Sequence, residues 1–408
     1  MKKAKLTKER DLRDSRPLWI DSPRISVRSK SFIGKSHYDI VIIGAGISGA
    51  LVAQALVKPG KSVLIVDKRE PVRGSSIAST AMIQHEIDVP LHKLQGMIGE
   101  DNANRAWQRS AKAVLKLEDI VRSLEISCAM QRKPALYIAG DELGARGLQT
   151  EVDARLKAGI EATFMDKADL QSHYGLDRTG AILSDISASA NPGQLTAGLL
   201  RYAAKQGAEI VSGVEITDLK SLGDDVVMAT AEGKLISTQH VVFCTGYEFL
   251  ENVANKKHEI ISTWAISSKA GLSLPDWLHK HILWEASDPY LYLRTDEAGR
   301  LIVGGEDENN SNAYQSEAKL HRKAQTIRRK VNKLLGLDIG PIDYQWAAAF
   351  GSTTTGLPLI GSVPSMQNVY SVMGFGGNGI TFSQIAAELV AAYINGTSDP
   401  DAALFKLD

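Results

Sequence analysis

Residues 38–69, YDIVIIGAGISGALVAQALVKPGKSVLIVDKR, leave few folds open. Ile40 to Ile43 is a continuous apolar run, the pattern of a strand buried on both faces. Ser48 to Val57 changes to helical apolar spacing, Pro59-Gly60 stops it, and Lys61 to Val66 is a second buried strand. Between the first strand and the helix lies Gly44-Ala45-Gly46-Ile47-Ser48-Gly49, which fits G-x-G-x-x-G. Gly44 permits the turn, Gly46 lets a pyrophosphate approach the backbone, and Gly49 lets helix and strand pack closely, with the phosphates on the helix N-terminus. Asp67 closes the second strand twenty-one residues after Gly46, where a carboxylate can accept hydrogen bonds from ribose hydroxyls. The unit therefore reads as a dinucleotide site, and NAD and FAD present the same ADP half to it.

Ile40 to Val57 is eighteen residues without a charge, long enough to raise a membrane span. Its glycines are grouped where a strand must turn into a helix, so a buried strand and helix are expected and no span.

A second glycine cluster, MGFGGNGITFS at 373–383, places four glycines between Gly374 and Gly379 and then runs into an apolar helix starting near Ile380. Bare amides ahead of a helix N-terminus attract an electron-rich group. A reduced flavin carries negative charge at N1 and the C2 carbonyl, and only glycine lets the backbone come that close. Nicotinamide has no comparable anionic end, so FAD is the expected cofactor.

At 408 residues, two or three domains are expected. Formal charge is zero, which leaves no electrostatic footprint for nucleic acid. Residues 1–38 nevertheless carry eleven Lys/Arg against four Asp/Glu. No apolar core of signal-peptide length follows, so this leader reads as a partly ordered, solvated arm of a cytoplasmic chain, against a targeting or partner-binding role. Cys128 and Cys244 are too few for a disulfide framework or a cysteine-built metal site, and no metal is expected.

Helices are expected over 100–126, 142–158, from Leu195 and over 316–335. Three short strands are expected in AEIVSGVEITDLK, VVMATAEG and HVVFCTGYE, and a hairpin turning at Asp296 to Gly299. The fold class is α/β: a Rossmann-like FAD-binding domain with a parallel sheet, interwoven with an α+β substrate domain that carries a mixed or antiparallel sheet. Residues 1–37 form the basic arm, 38–126, 190–256 and 346–408 the FAD-binding domain, and 127–189 and 257–345 the substrate domain.

Together these motifs resemble the D-amino-acid oxidase, glycine oxidase and sarcosine oxidase family of FAD-dependent amine oxidoreductases. The likeness covers roughly 38–408. It rests on the fingerprint ending at Asp67, on RGSSIASTAMIQ, VVFCTG and WAAAFGSTTTGLPLIG, and on GFGGNGITFS, all in family order. The resemblance implies that Gly44, Gly46, Ile47, Ser48, Gly49 and Asp67, Lys68 and Arg69 contact the ADP half. Gly74, Ser75, Ser76, Thr80, Ala81 and Met82 would run past the pyrophosphate toward the ring. Val214 would touch adenine, with Thr245 and Gly246 closing that region. Gly351 and the run Gly376, Gly377, Asn378, Gly379, Ile380 and Thr381 would lie against the flavin. Phe350 aligns with the flavin-linked cysteine of sarcosine-oxidase-like members, so attachment is expected to be non-covalent. Ile302 aligns with their oxygen-activating lysine, which leaves oxidase and dehydrogenase both open.

Amine oxidation needs little acid–base machinery but must position the substrate and exclude water. In SDPYLYLRTDEAGRLIVGGED, period-two alternation puts Tyr290, Tyr292 and Arg294 on one face. Arg294 is the expected carboxylate anchor for a small amino acid, and Tyr292 or Tyr290 its hydrogen-bonding partner. His85 is either a base or a hydrogen-bonded structural histidine. The expected function is oxidation of the C–N bond of a small amine or amino acid by hydride transfer to flavin N5, with the electron acceptor open. The alternative is a flavin-holding subunit of a larger dehydrogenase complex.

Overall fold

The computed structural model describes residues 6–21, 23–251, 253 and 258–407. The strand His37–Ile43 lies between Val63–Asp67 and Leu235–Phe243 and is parallel to both. Glu209–Ser212 extends this sheet in parallel, and Val369–Met373 pairs in parallel with Leu235–Phe243. Ile40 and Ile42 are buried with helix residues such as Leu51, Leu195 and Ile385, and Val41 with Val211, Val226 and Met228 on the other face, which is why no polar alternation appears there. The helix Ile47–Leu56 packs against both Pro192–Lys205 and Gly379–Ile394, so the two glycine-rich turns open at one end of the same layer.

A second sheet of nine strands stands beside it. It runs from Arg13–Asp14 through Ile342–Thr353, His258–Ser268, Leu301–Glu308, Leu291–Thr295 and Ile282–Ala286. It continues through Ala135–Ala139 and Gly180–Ser184 to Thr163–Asp166. Neighbours are antiparallel except Ile282–Ala286 against Ala135–Ala139, so the sheet is mixed. The amphipathic helix Glu317–Leu335 covers it with Leu320, Ala324, Ile327 and Val331, spaced to share one face.

Four details differ from the sequence reading. AEIVSGVEITDLK is two strands, because Gly213 at φ +72° breaks the extended run between Glu209–Ser212 and Ile216–Leu222. The helix expected from Leu195 begins at Pro192, where Asn191 accepts from the Gln194 amide and proline needs no donor. The strand Ile342–Thr353 continues in the second sheet across the boundary expected at 346. The described part of the arm is docked instead of solvated. Arg13 and Asp14 pair with Ala348 and Ala347, Lys30 bridges to Val211, and Leu12, Leu18 and Trp19 are buried. Apolar residues between its charges hold it down. No helix among the described residues is long and apolar enough to cross a membrane.

Candidate active site

The loop at Gly44 is shaped by contacts that exclude side chains. Gly44 has φ +118°, and a Cβ there would lie 2.3 Å from the Cys244 carbonyl oxygen. A Cβ on Gly49 would lie 1.9 Å from the Gly44 carbonyl oxygen, so Gly49 is the packing glycine and lies outside the cavity lining. Gly44, Gly46, Ile47 and Ser48 line an elongated cavity of about 200 Å³. Ser76 Oγ accepts from the Ile47 amide at 2.9 Å, while Ser75 Oγ is buried without a hydrogen-bond partner among the described residues. Gly74, Ser75, Ser76 and Thr80 all line the cavity. An unpartnered hydroxyl beside a helix N-terminus fits a phosphate acceptor.

At the same end, Asp67 accepts from the Ala45 amide at 2.7 Å and the Arg69 amide at 2.8 Å. Burial pushes its carboxyl above the ordinary value against those two donors. Lys68 and Arg69 also line the cavity, but both are paired with Glu248, at 2.9 and 2.7 Å. Glu248 further accepts from the Arg10 amide at 3.1 Å, which ties the arm to this wall. Val214, Thr245 and Gly246 complete the lining there, and Thr7 and Leu12 of the arm join it. Glu248 was not singled out in the sequence; its only signal is a carboxylate three residues beyond Thr245.

The other end of the cavity is bounded by Gly376, Gly377, Gly379 and Ile380, with Tyr292, Ala348, Ala349 and Phe350 opposite. The Ser48 and Ser383 hydroxyls meet at 2.8 Å, joining the two helix N-termini across 335 residues of chain. Asn378 at the N-cap of Gly379–Ile394 makes no side-chain cap, so the first amides of that helix have no side-chain acceptor. Its Nδ2 donates to the Glu86 carbonyl, and Thr381 Oγ1 donates to the Gln84 carbonyl at 3.0 Å. Thr381 therefore fixes the turn and is not in the lining. Ala81, at φ +51°, and Gly351 are also outside it; a Cβ on Gly351 would strike His258 and Tyr247 at 2.8 and 2.9 Å.

A second cavity, of about 330 Å³, adjoins the first and shares Ser79, Thr80, Tyr292, Phe350 and Gly377 with it. Met82, Asn378 and Tyr290 face this second space. Tyr292 fits because Gly304 lacks a Cβ, which would lie 2.4 Å from its ring. The Tyr290 and Tyr292 rings stand 5.7 Å apart, and burial pushes both phenols well above their ordinary value, keeping them neutral donors. Asp88 and Asp307 also line it. Asp88 opens to the cavity and accepts from the Gly377 amide at 2.8 Å. Burial raises the Asp307 carboxyl to about 6, although the Thr263 and Tyr290 hydroxyls favour its charged form. Neither acid was singled out in the sequence. Glu306, at φ +60°, and a register shift opposite Ser262 and Trp264 interrupt the alternation that would have pointed to Asp307.

One expected catalytic residue is corrected, and of the two alternatives for His85 the structural one fits the geometry. Arg294 does not reach either of these cavities. Its guanidinium donates to the carbonyls of Thr80 at 2.7 Å, Ala190 at 2.7 Å and Thr295 at 3.3 Å, and lies 5.1 Å over the Trp19 ring. With three of its donors on backbone carbonyls and its head outside both cavities, it is a clamp and not a carboxylate anchor. His85 is fully buried, hydrogen-bonded through Nδ1 to the Ile186 carbonyl at 2.8 Å, and lines neither cavity. Burial lowers its pKa, so it is a neutral structural histidine.

Residues 39–393 match the family described as DAO, FAD dependent oxidoreductase. The putative Rieske 2Fe-2S iron-sulfur protein YhfW of Bacillus subtilis is 22% identical over 90% of this chain and 70% of its own length. Glycine oxidase of Bacillus licheniformis is 24% identical over 89% of this chain and 94% of its own. The crystal structure of glycine oxidase from Geobacillus kaustophilus superposes with a TM-score of 0.76 at 20% identity, covering 92% of this chain and 99% of that one.

Proposed function

This chain belongs to the DAO family of FAD-dependent oxidoreductases, and from that premise we propose that it oxidises the C–N bond of a small amine or amino acid at a non-covalently held flavin. The observation that carries the reading is the shared wall of the two cavities: Tyr292, Phe350 and Gly377 border the first cavity, lined by both glycine turns, and the larger second one together. Gly44 to Ser48 and Ser75 would hold the pyrophosphate, Val214 the adenine, and Gly376 to Ile380 the pyrimidine end. When bound, FAD would supply the two-electron acceptor for the hydride of the amine-bearing carbon, and hydrolysis of the resulting C=N bond would give a carbonyl compound and ammonia or an amine.

The chain's own part is positional. Phe350 and Tyr292 would order the reacting carbon at the shared wall and exclude water. Only the unprotonated amine can give up electrons, so its ammonium form must lose a proton first. Asp307, ionised above about pH 6, is the group in the second cavity suited to take it. Cys244 borders the nucleotide end and Cys128 lines neither cavity, so neither thiol stands at the expected ring end, which agrees with a non-covalent flavin.

Anaerobic addition of substrate should bleach the bound flavin's visible absorbance. Asp307→Asn should slow the bleaching about 10²-fold and remove the acidic limb near pH 6 from its pH profile. No bleaching by any amine or amino acid would sink the reading.

The second reading, a flavin-holding subunit that passes electrons to a partner, draws support from Ile302 in the lysine position and from the iron–sulfur relative. Turnover of the isolated chain with an artificial acceptor separates the two.

A further inference from the structure

The second cavity is strongly acidic, which disfavours a substrate carboxylate. Five carboxylates line it: Asp88, Glu142, Glu285, Asp288 and Asp307. The one cation in the lining, Lys93, is half exposed and lies 3.8 Å from Glu142. Arg178, behind the wall, pairs with Glu285 at 2.7 Å. If Lys93 and Arg178 each cancel one carboxylate, three of the five remain without an ion pair; Lys323, itself paired with Glu306 and Glu308, is, among the described residues, the one further cation that favours the charged form of Asp307. Among the described residues, Asp88, Asp288 and Asp307 form no ion pair, and Asp307 Oδ1 is buried without a hydrogen-bond partner. A lone buried acceptor of this kind costs stability unless a ligand donor meets it.

The acids fall into two groups. Asp88 and Asp307 stand at the flavin end, where Asp88 touches the Gly377 amide and Asp307 faces Tyr290. Glu142, Glu285 and Asp288 stand at the other end, around the stacked pair Tyr137 and Trp284, whose rings are 3.7 Å apart. Glu142 and Asp288 belong to one local frame, since the Glu142 amide donates to Ala286 and the Asp288 amide to Asp141. Carboxylates interleaved with aromatic rings suit an alkylammonium, which gains both charge pairing and cation–π attraction. Among the described residues no arginine lines this cavity to bind a substrate carboxylate, and Arg294 is committed elsewhere.

The geometry points to an aliphatic diamine or longer polyamine as the substrate class. One amino group would lie at the flavin end between Asp88 and Asp307, and a second, still charged, at the Glu142 and Asp288 end. This rests on the amine-oxidation reading above and narrows it: the substrate carries no free carboxylate.

Two measurements on the FAD-loaded protein test it. The first titrates in, by calorimetry, tetramethylene-bis(trimethylammonium), a dication that cannot be oxidised. It should bind the wild type and bind at least about tenfold more weakly to the Glu142→Gln/Asp288→Asn double variant. Both of those side chains are exposed, so the variant should fold. The second compares anaerobic bleaching by tetramethylenediamine with bleaching by glycine, D-alanine and L-proline. The diamine should half-saturate at a concentration at least about tenfold lower than any of the amino acids. Absent or unaltered dication binding, or stronger bleaching by the amino acids, would overturn the polyamine assignment and leave amine oxidation standing. If the dication binds as expected but nothing bleaches, the cation site stands and the oxidation reading falls.

Discussion

Asp307 sets a pH-dependent strain at the scale of one residue. Its folded pKa, about 6, lies above the ordinary carboxylate value, so the protonated form is favoured on folding and that contribution disappears as pH rises through about 6. Asp307→Asn should therefore be more stable than the wild type at pH 7.5, by about 2 kcal/mol, and nearly equal to it at pH 4. Denaturant unfolding at the two pH values checks this; a constant difference would mean that the carboxyl is not strained. Gly49 is a purely steric case. A Cβ at 1.9 Å from a backbone oxygen has no room, so Gly49→Ala should cost roughly 1–3 kcal/mol and reduce FAD retention. The turn at Gly44 and the close packing at Gly49 were legible because both follow from local strand–turn–helix geometry. Arg294 was misread because strand alternation fixes a face but not where a long side chain ends. Its partners Thr80 and Ala190 are more than a hundred residues away in sequence.

The six longest helices and the strands of the nucleotide-binding unit could be read from hydrophobic period, whereas the short helices Leu91–Ile98, Lys167–Tyr174 and Asp276–Lys280 could not. The arm could not, because charge density hid the few apolar residues that matter. Trp19 donates to the Ser79 carbonyl at 2.7 Å and lies under Arg294, while Thr7 and Leu12 border the nucleotide cavity. Removal of residues 1–32 should weaken FAD retention by about tenfold, roughly 1.4 kcal/mol, and lower the apparent Tm. Trp19→Ala alone should reproduce part of both effects. Unchanged retention in the truncated protein, measured by flavin fluorescence after dilution, would mean that the arm is only a cover for the second sheet. The second cavity was equally hidden. Its wall draws on distant strands of the second sheet, on Met82–Gln84 and on the turn at Gly377 and Asn378, and a bulge at Glu306 offsets the pattern that leads to Asp307.

Across the whole molecule, a buried ionic network holds the second sheet's helix Ala145–Lys157 against the first layer. Arg155 donates to Glu151 at 2.8 Å, to Glu86 and Ser184 at 3.3 and 3.2 Å, and lies 4.7 Å over the Trp107 ring. Burial alone would raise the Glu151 carboxyl, but His92 and Arg155 hold it down to about 2. Its stabilising contribution is therefore present above the ordinary carboxylate value and is lost as pH falls through about 2. Arg155→Met leaves buried carboxylates uncompensated and should cost roughly 3–5 kcal/mol. Glu86 and Asn378 are hydrogen-bonded, so loosening this network should also disturb the glycine turn at the flavin end. The central claim is that this turn and the distant Gly44 loop grip one FAD from opposite ends. A crystal structure of the FAD-loaded protein tests that most directly. The pyrophosphate should rest over Gly44 to Ser48, with the flavin's pyrimidine edge about 3 Å from an amide between Gly377 and Ile380. A bound FAD whose ring lies away from those amides would contradict it.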